Sequence, residues 1–164
     1  MNDTNIPHYP IFLDLKNRPV TVIGGGRVAE RKVGTLLKAG AEITVISPDF
    51  TPVLIRCGED HEIKRIQRVY REGDLQNAEL VFTATNQPKV NIAVAAEAKS
   101  RKIWINVADR SATCDFFVPA IFVDEGFTIA VGSGGLSPSM SVKIRNRIKA
   151  FLTNEPVIKD DAKQ

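Results

Sequence analysis

Apolar and polar positions change period several times along this chain, and each change marks an element. Pro19–Ile23 (PVTVI) is a β-branched apolar run that predicts a buried strand. Three glycines follow, and then the spacing turns helical through RVAERKVGTLLKAGA, where Val28, Leu36 and Leu37 recur and Gly40 ends the helix. Glu42–Ser47 (EITVIS) is a second strand. Residues 52–57 suit a short helix, 62–68 (EIKRIQR) alternate like an exposed or edge strand, and 78–84 (AELVFTA) read as a buried strand. An alanine-rich helix over 89–100 and a strand over 103–107 (IWINV) complete the order β-α-β-β-β-α-β. That order predicts an open parallel sheet with helices on both faces, a doubly wound α/β fold. After Cys114 the pattern changes. Residues 116–123 and 127–132 are strand-like about the turn Asp124-Glu125-Gly126, and a helix is predicted over 139–152. A hairpin and one helix are too small to bury a core alone, so a second copy of this segment is the expected partner.

Strand, glycine turn and helix in this order suit the pyrophosphate of a dinucleotide. Gly24 permits the tight turn, Gly25 continues it, and Gly26 lets backbone approach the phosphates. Small Ala29 takes the third motif position, where helix and strand pack closely. The helix N–H groups and dipole then face the diphosphate. With Glu42–Ser47 the unit reaches roughly the 30-residue βαβ size that the motif requires. The expected fold is therefore Rossmann-like: an NAD-binding domain over 1–114, a dimerisation segment over 115–154 and a frayed tail over 155–164. Asp49, just after the second strand, is the candidate acceptor for the adenine ribose, or else a turn residue after Pro48. No arginine follows immediately to meet a 2′-phosphate, although Arg27 could meet phosphate, so NAD is favoured over NADP. Thr85 and Asn86, at a strand end, are expected to cap the next helix, touch the cofactor, or both.

Composition narrows the classes. In 164 residues, 43% hydrophobic and 25% charged, there is room for one ordinary soluble domain and an appendage. No apolar run approaches the ~18 residues of a membrane span, and no signal pattern opens the chain, so a cytoplasmic location without membrane contact is expected. Cys57 and Cys114 are far apart, and neither cysteine nor His8 and His61 has the spacing of a zinc or other metal site. The net charge of +3 gives little reason to expect nucleic-acid binding. Lys143, Arg145, Arg147 and Lys149 lie in KIRNRIK, which is either a solvated helix face or an anion-binding surface.

Five segments in order, YPIFLDL (9–15), VIGGGRVAERK (22–32), INVADR (105–110), FVPAIF (117–122) and VGSGGLSP (131–138), resemble the dehydrogenase/ferrochelatase module of siroheme synthase. The resemblance implies a homodimer that oxidises precorrin-2 to sirohydrochlorin with NAD, and in many members also inserts Fe²⁺. Members carry a further helical region at the C-terminus, and this chain is expected to stop short of it. Asp109 matches the catalytic aspartate; a base there can take the proton released when hydride leaves, or the pyrrole N–H protons during metal insertion. Ser133 matches a serine of the tetrapyrrole site, with Gly134 beside it. The acetate and propionate groups of the substrate make Arg110, Lys143, Arg145, Arg147 and Lys149 candidate carboxylate partners. Arg27, Val28, Pro48 and Asp49 match cofactor-contact positions, with Thr85 and Asn86 added on their place in the chain. The rival expectation is a non-catalytic NAD-binding accessory or regulatory module, which Asp109→Asn would distinguish.

Overall fold

The computed structural model describes residues 8–108 and 110–154. The chain divides into two compact units, one spanning Pro10–Phe116 and one built from the described residues 8–9 and 117–154. In the first, β1 (Pro19–Ile23), β2 (Glu42–Ser47), β3 (Lys64–Gln67), β4 (Leu80–Thr83) and β5 (Trp104–Val107) form a parallel sheet in the order β3-β2-β1-β4-β5. The expected parallel α/β sheet is thus observed.

Alternation along β1 separates two cores. Val20 and Val22 meet Ala29, Val33 and Leu36 of α1 (Arg27–Lys38) and Leu54 of α2 (Pro52–Glu59), while Ile23 belongs with Val94 and Ala98 of α3 (Pro88–Arg101). Chain leaving β1 turns toward β2 and chain leaving β4 turns toward β5, so a crevice opens at the carboxyl ends of these adjacent central strands.

Several local expectations change. The buried stripe of α1 is Ala29, Val33 and Leu36, whereas Val28 is 42% exposed because it lies one position off that i, i+4, i+7 line. The short helix predicted over 52–57 forms and extends to Glu59, its start fixed by Pro52 at the first turn and by the Thr51 hydroxyl accepting the Leu54 N–H at 3.4 Å. The order is accordingly β-α-β-α-β-β-α-β.

In the second unit, β6 (Ala120–Asp124) pairs antiparallel with β7 (Phe127–Val131), and α4 is Pro138–Asn154. The predicted strand over 116–123 begins only at Ala120, after Pro119, which has no N–H for a ladder. Glu125 and Gly126 both have positive φ, +44° and +86°, as a two-residue hairpin turn requires.

Between β3 and β4, residues 68–79 cross without a helix. The fully buried Leu75 supplies apolar cover, and Arg68 holds Asp74 through two bonds of 2.7 and 2.6 Å. From α3, Glu97 accepts the Tyr70 hydroxyl, the Gly73 N–H at 3.1 Å and the Arg101 Nε–H at 2.7 Å. Burial works to raise the Glu97 carboxyl, but these donors outweigh it and hold the carboxyl below its ordinary value. A depressed carboxyl stabilises the fold above its unfolded value and loses that contribution as pH falls through its folded value. Glu97→Gln is therefore expected to cost about 1–3 kcal/mol at pH 7, with the difference from the parent shrinking below about pH 4. Urea unfolding across that range checks this, and a pH-independent difference would contradict it.

Candidate dinucleotide site

The three glycines meet different surroundings. Gly24 has φ +118°, donates its N–H to the Ile46 carbonyl at 2.9 Å, and would place an added Cβ 2.5 Å from the Ala84 carbonyl oxygen. A Cβ on Gly25 would stand 2.0 Å from the Asp49 carbonyl oxygen, and the Gly25 carbonyl accepts the Thr51 N–H at 3.0 Å. The loop after β1 is thereby wedged between the chain leaving β4 and the chain leaving β2. Gly26 differs: a Cβ there would meet nothing within 4 Å among the described residues. Gly26 is also the N-cap of α1, and no side chain caps that end. Open approach, free helix-start donors and the positive end of the helix dipole are what a pyrophosphate requires, so these residues fit the group.

Around this cradle Arg27 and Val28 are exposed on the first turn of α1, and Pro48 and Asp49 are exposed after β2. The Asp49 backbone carbonyl lies against Gly25, and its side chain is at the surface. Ser47, which sequence reasoning passed over, sets its Oγ 2.9 Å from the Cβ that Gly25 lacks. Thr85 is committed to the start of α3: its hydroxyl donates to Asn91 Oδ1 at 2.7 Å and accepts the Gln87 N–H at 3.1 Å. Asn86 is exposed beside it.

At the end of β5, Asn106 links several elements. Its Oδ1 accepts Lys32 Nζ from α1 at 2.8 Å, and its Nδ2 donates to the Phe116 carbonyl at 2.9 Å. Cys114 Sγ accepts the Val107 N–H at 3.1 Å. Burial, then the neighbouring Arg31 charge, pull the Lys32 amine down to about 8, with Cys114 opposing them. Lys32 went unnoticed in the sequence, yet it lies three residues after Ala29 and four before Leu36, on the inward side of its helix. Asp109 lies outside the described residues. Arg110 is exposed and belongs to no ion pair among the described residues.

In the second unit, Ser133 Oγ accepts the Ser137 N–H at 2.9 Å, which leaves its hydroxyl proton to donate elsewhere. Gly134 and Gly135 have φ +59° and +83°, and a Cβ on Gly134 would collide with the His8 ring at 2.6 Å. The basic run of α4 does not converge. Residues two apart on a helix face away from each other, so Lys143 and Arg147 share one side while Arg145 and Lys149 share another. Lys149 Nζ stands 5.4 Å from the centre of the Phe122 ring, and Arg145 Nε is buried without a partner among the described residues. Arg147 instead borders an open groove with Ile144, Ile148 and Phe151.

A family model described as "Putative NAD(P)-binding" matches residues 11–120. The chain is 41% identical over 143 residues to the siroheme synthase of Methylobacillus flagellatus and 37% identical over 145 residues to that of Psychromonas ingrahamii. These matches take in 87% and 88% of this chain but 31% of the length of each relative. Among solved structures, SirC, a precorrin-2 dehydrogenase, superposes with a TM-score of 0.78 at 28% identity, covering 88% of this chain and 71% of that one. Matched across its parallel sheet and glycine loop, the chain belongs to this NAD(P)-binding family.

Proposed function

We propose that this chain, as a cytoplasmic homodimer, oxidises precorrin-2 to sirohydrochlorin with NAD. The observation that carries the reading is the open Gly26 cradle at the uncapped start of α1, on a fold shared with SirC, a precorrin-2 dehydrogenase. When bound, NAD supplies a hydride acceptor. Gly24, Gly25, Gly26 and the first N–H groups of α1 hold its pyrophosphate, with Arg27, Val28, Pro48, Asp49, Thr85 and Asn86 around it. Asp49 is the ribose acceptor, and the lack of an arginine immediately after it favours NAD over NADP.

On the substrate side, Asp109 is the base that takes the proton released when hydride leaves the partly reduced macrocycle. Ser133 donates its hydroxyl proton to a substrate carboxylate, with Gly134 beside it in the same loop. Arg110, Lys143, Arg145, Arg147 and Lys149 are the cationic candidates for the remaining carboxylates. Arg145 is the strongest of them because its buried Nε has no hydrogen-bond partner among the described residues. The test is NADH formation from precorrin-2 and NAD⁺ under anaerobic conditions; bound NAD without turnover would favour an accessory module.

The siroheme synthase relatives favour a second step, insertion of Fe²⁺ as substrate into sirohydrochlorin, with the Asp109 carboxylate taking the pyrrole protons. Addition of Fe²⁺ to the completed oxidation should then convert the sirohydrochlorin spectrum, and an unchanged spectrum would confine the chain to oxidation. Self-association is the expected use of the apolar surface of the second unit, where Met140, Ile144 and Phe151 of α4 are 50%, 40% and 61% exposed and Phe127 of the hairpin is 77% exposed. Light scattering should return the dimer mass, and Phe151→Glu should shift it toward the monomer. A monomeric parent protein would contradict this part.

A further inference from the structure

Lys32 is a charged side chain for which the reaction above has no task. It is half-buried on the inward side of α1, with Nζ 2.8 Å from Asn106 Oδ1 and 4.8 Å from the centre of the Phe82 ring. It belongs to no ion pair among the described residues. An apolar side chain could fill the same space without desolvating an ammonium, so simple packing does not account for the charge. Its specific contact is Asn106, and Asn106 reaches further: Nδ2 donates to the Phe116 carbonyl at 2.9 Å and to Cys114 Sγ at 3.7 Å. The Phe116 ring meets the Phe82 ring edge-on at 5.3 Å. One continuous set of contacts therefore joins the helix that begins at the glycine loop to the carboxyl end of β5 and to the chain returning at 114–116.

We propose that Lys32 is a positioning residue, which through Asn106 fixes the carboxyl end of β5 relative to the helix that receives the pyrophosphate. The inference rests on the reading of Asp109 as the base, because Asp109 follows Asn106 by three residues in sequence. The bond is strongest when Lys32 is protonated, since both the charge-assisted hydrogen bond and the contact with Phe82 depend on the charge. Among the described residues, the charged or titratable groups that face the ammonium are Arg31 on its own helix and the Cys114 thiol, while β4 and β5 present the uncharged Phe82 and Asn106. With Lys32 titrating at about 8, kcat should fall above that pH. Stability should move the other way. A lysine whose folded value lies below its unfolded value leaves the unfolded state holding more protons, so its contribution to stability rises between about pH 8 and the ordinary lysine value. Loss of activity there is therefore separable from unfolding.

The test is Lys32→Met, which keeps an unbranched apolar stem. The expected result is a kcat lowered roughly ten-fold, as for one lost charged hydrogen bond, with NAD affinity within about two-fold and no loss of stability. The alkaline limb of kcat near pH 8 should disappear in the variant. In the protein without cofactor or substrate, the Asn106 side-chain amide resonances should titrate with a midpoint of about 8 in the parent and stay flat in Lys32→Met. An unchanged kcat and pH profile in the variant, or flat Asn106 resonances in the parent, would overturn the proposal. If the parent gives no turnover, the functional reading fails separately and the amide titration alone decides for or against Lys32.

Discussion

Asp109→Asn is expected to lower kcat for precorrin-2 oxidation by about 10²–10⁴-fold, the usual range for loss of a positioned general base. The substitution keeps the size of the side chain and removes its basicity. Because the cradle is built from Gly24, Gly25, Gly26 and the start of α1, NAD affinity should stay within about two-fold. The result would be a protein that holds cofactor and substrate and forms almost no NADH. Retained kcat in Asp109→Asn would mean that another group takes the proton. A parallel loss of NAD binding would show that residue 109 serves the cofactor site, and the role proposed for it would fall.

The second large effect separates two neighbouring glycines. In Gly25→Ala the new methyl would stand 2.0 Å from the Asp49 carbonyl oxygen, which is backbone and cannot turn aside as a side chain would. The loops after β1 and β2 must then move apart, and the Thr51 N–H loses its bond to the Gly25 carbonyl. An overpacking cost of about 1–3 kcal/mol corresponds to roughly 2–12 °C in thermal midpoint for a chain of this size, with NAD affinity down by about 100-fold as the cradle distorts. In Gly26→Ala the methyl meets no atom of the described residues within 4 Å, and the backbone at φ −84° suits any residue. Stability should be that of the parent, yet NAD binding should weaken by about ten-fold or more, because the methyl occupies the approach to the helix start. Calorimetric titration with NAD alongside thermal unfolding distinguishes the two. Normal NAD binding by Gly26→Ala would place the pyrophosphate elsewhere.

Much of this was legible along the chain because it is local. The run Pro19–Ile23, the glycines and the inward Ala29 write strand, turn and helix in consecutive residues, and the hairpin turn announces itself by Asp124-Glu125-Gly126. The contacts that tie the site together are not local. Lys32 and Asn106 are 74 residues apart and meet only because β5 comes to lie beside β4. Glu97 serves the loop at Tyr70 and Gly73 from 27 and 24 residues away, and nothing in either segment alone names the other. The brace of the Asp49 carbonyl against Gly25 is likewise a product of parallel pairing between β1 and β2. The basic run on α4 carried the opposite lesson. Read as a cluster it suggests one anion-binding face, whereas the helical repeat sends Arg145 and Lys149 to one side and Lys143 and Arg147 to the other.

The most direct measurement is a single-turnover reaction under anaerobic conditions, with purified protein in excess over precorrin-2 and with NAD⁺ present, following NADH absorbance and the tetrapyrrole spectrum together. The account predicts NADH and sirohydrochlorin in equal amounts, formed with one rate constant, and that rate constant lowered about 10²–10⁴-fold in Asp109→Asn. An unchanged precorrin-2 spectrum in protein that calorimetry shows to be saturated with NAD would contradict it, leaving a dinucleotide-binding protein without this chemistry.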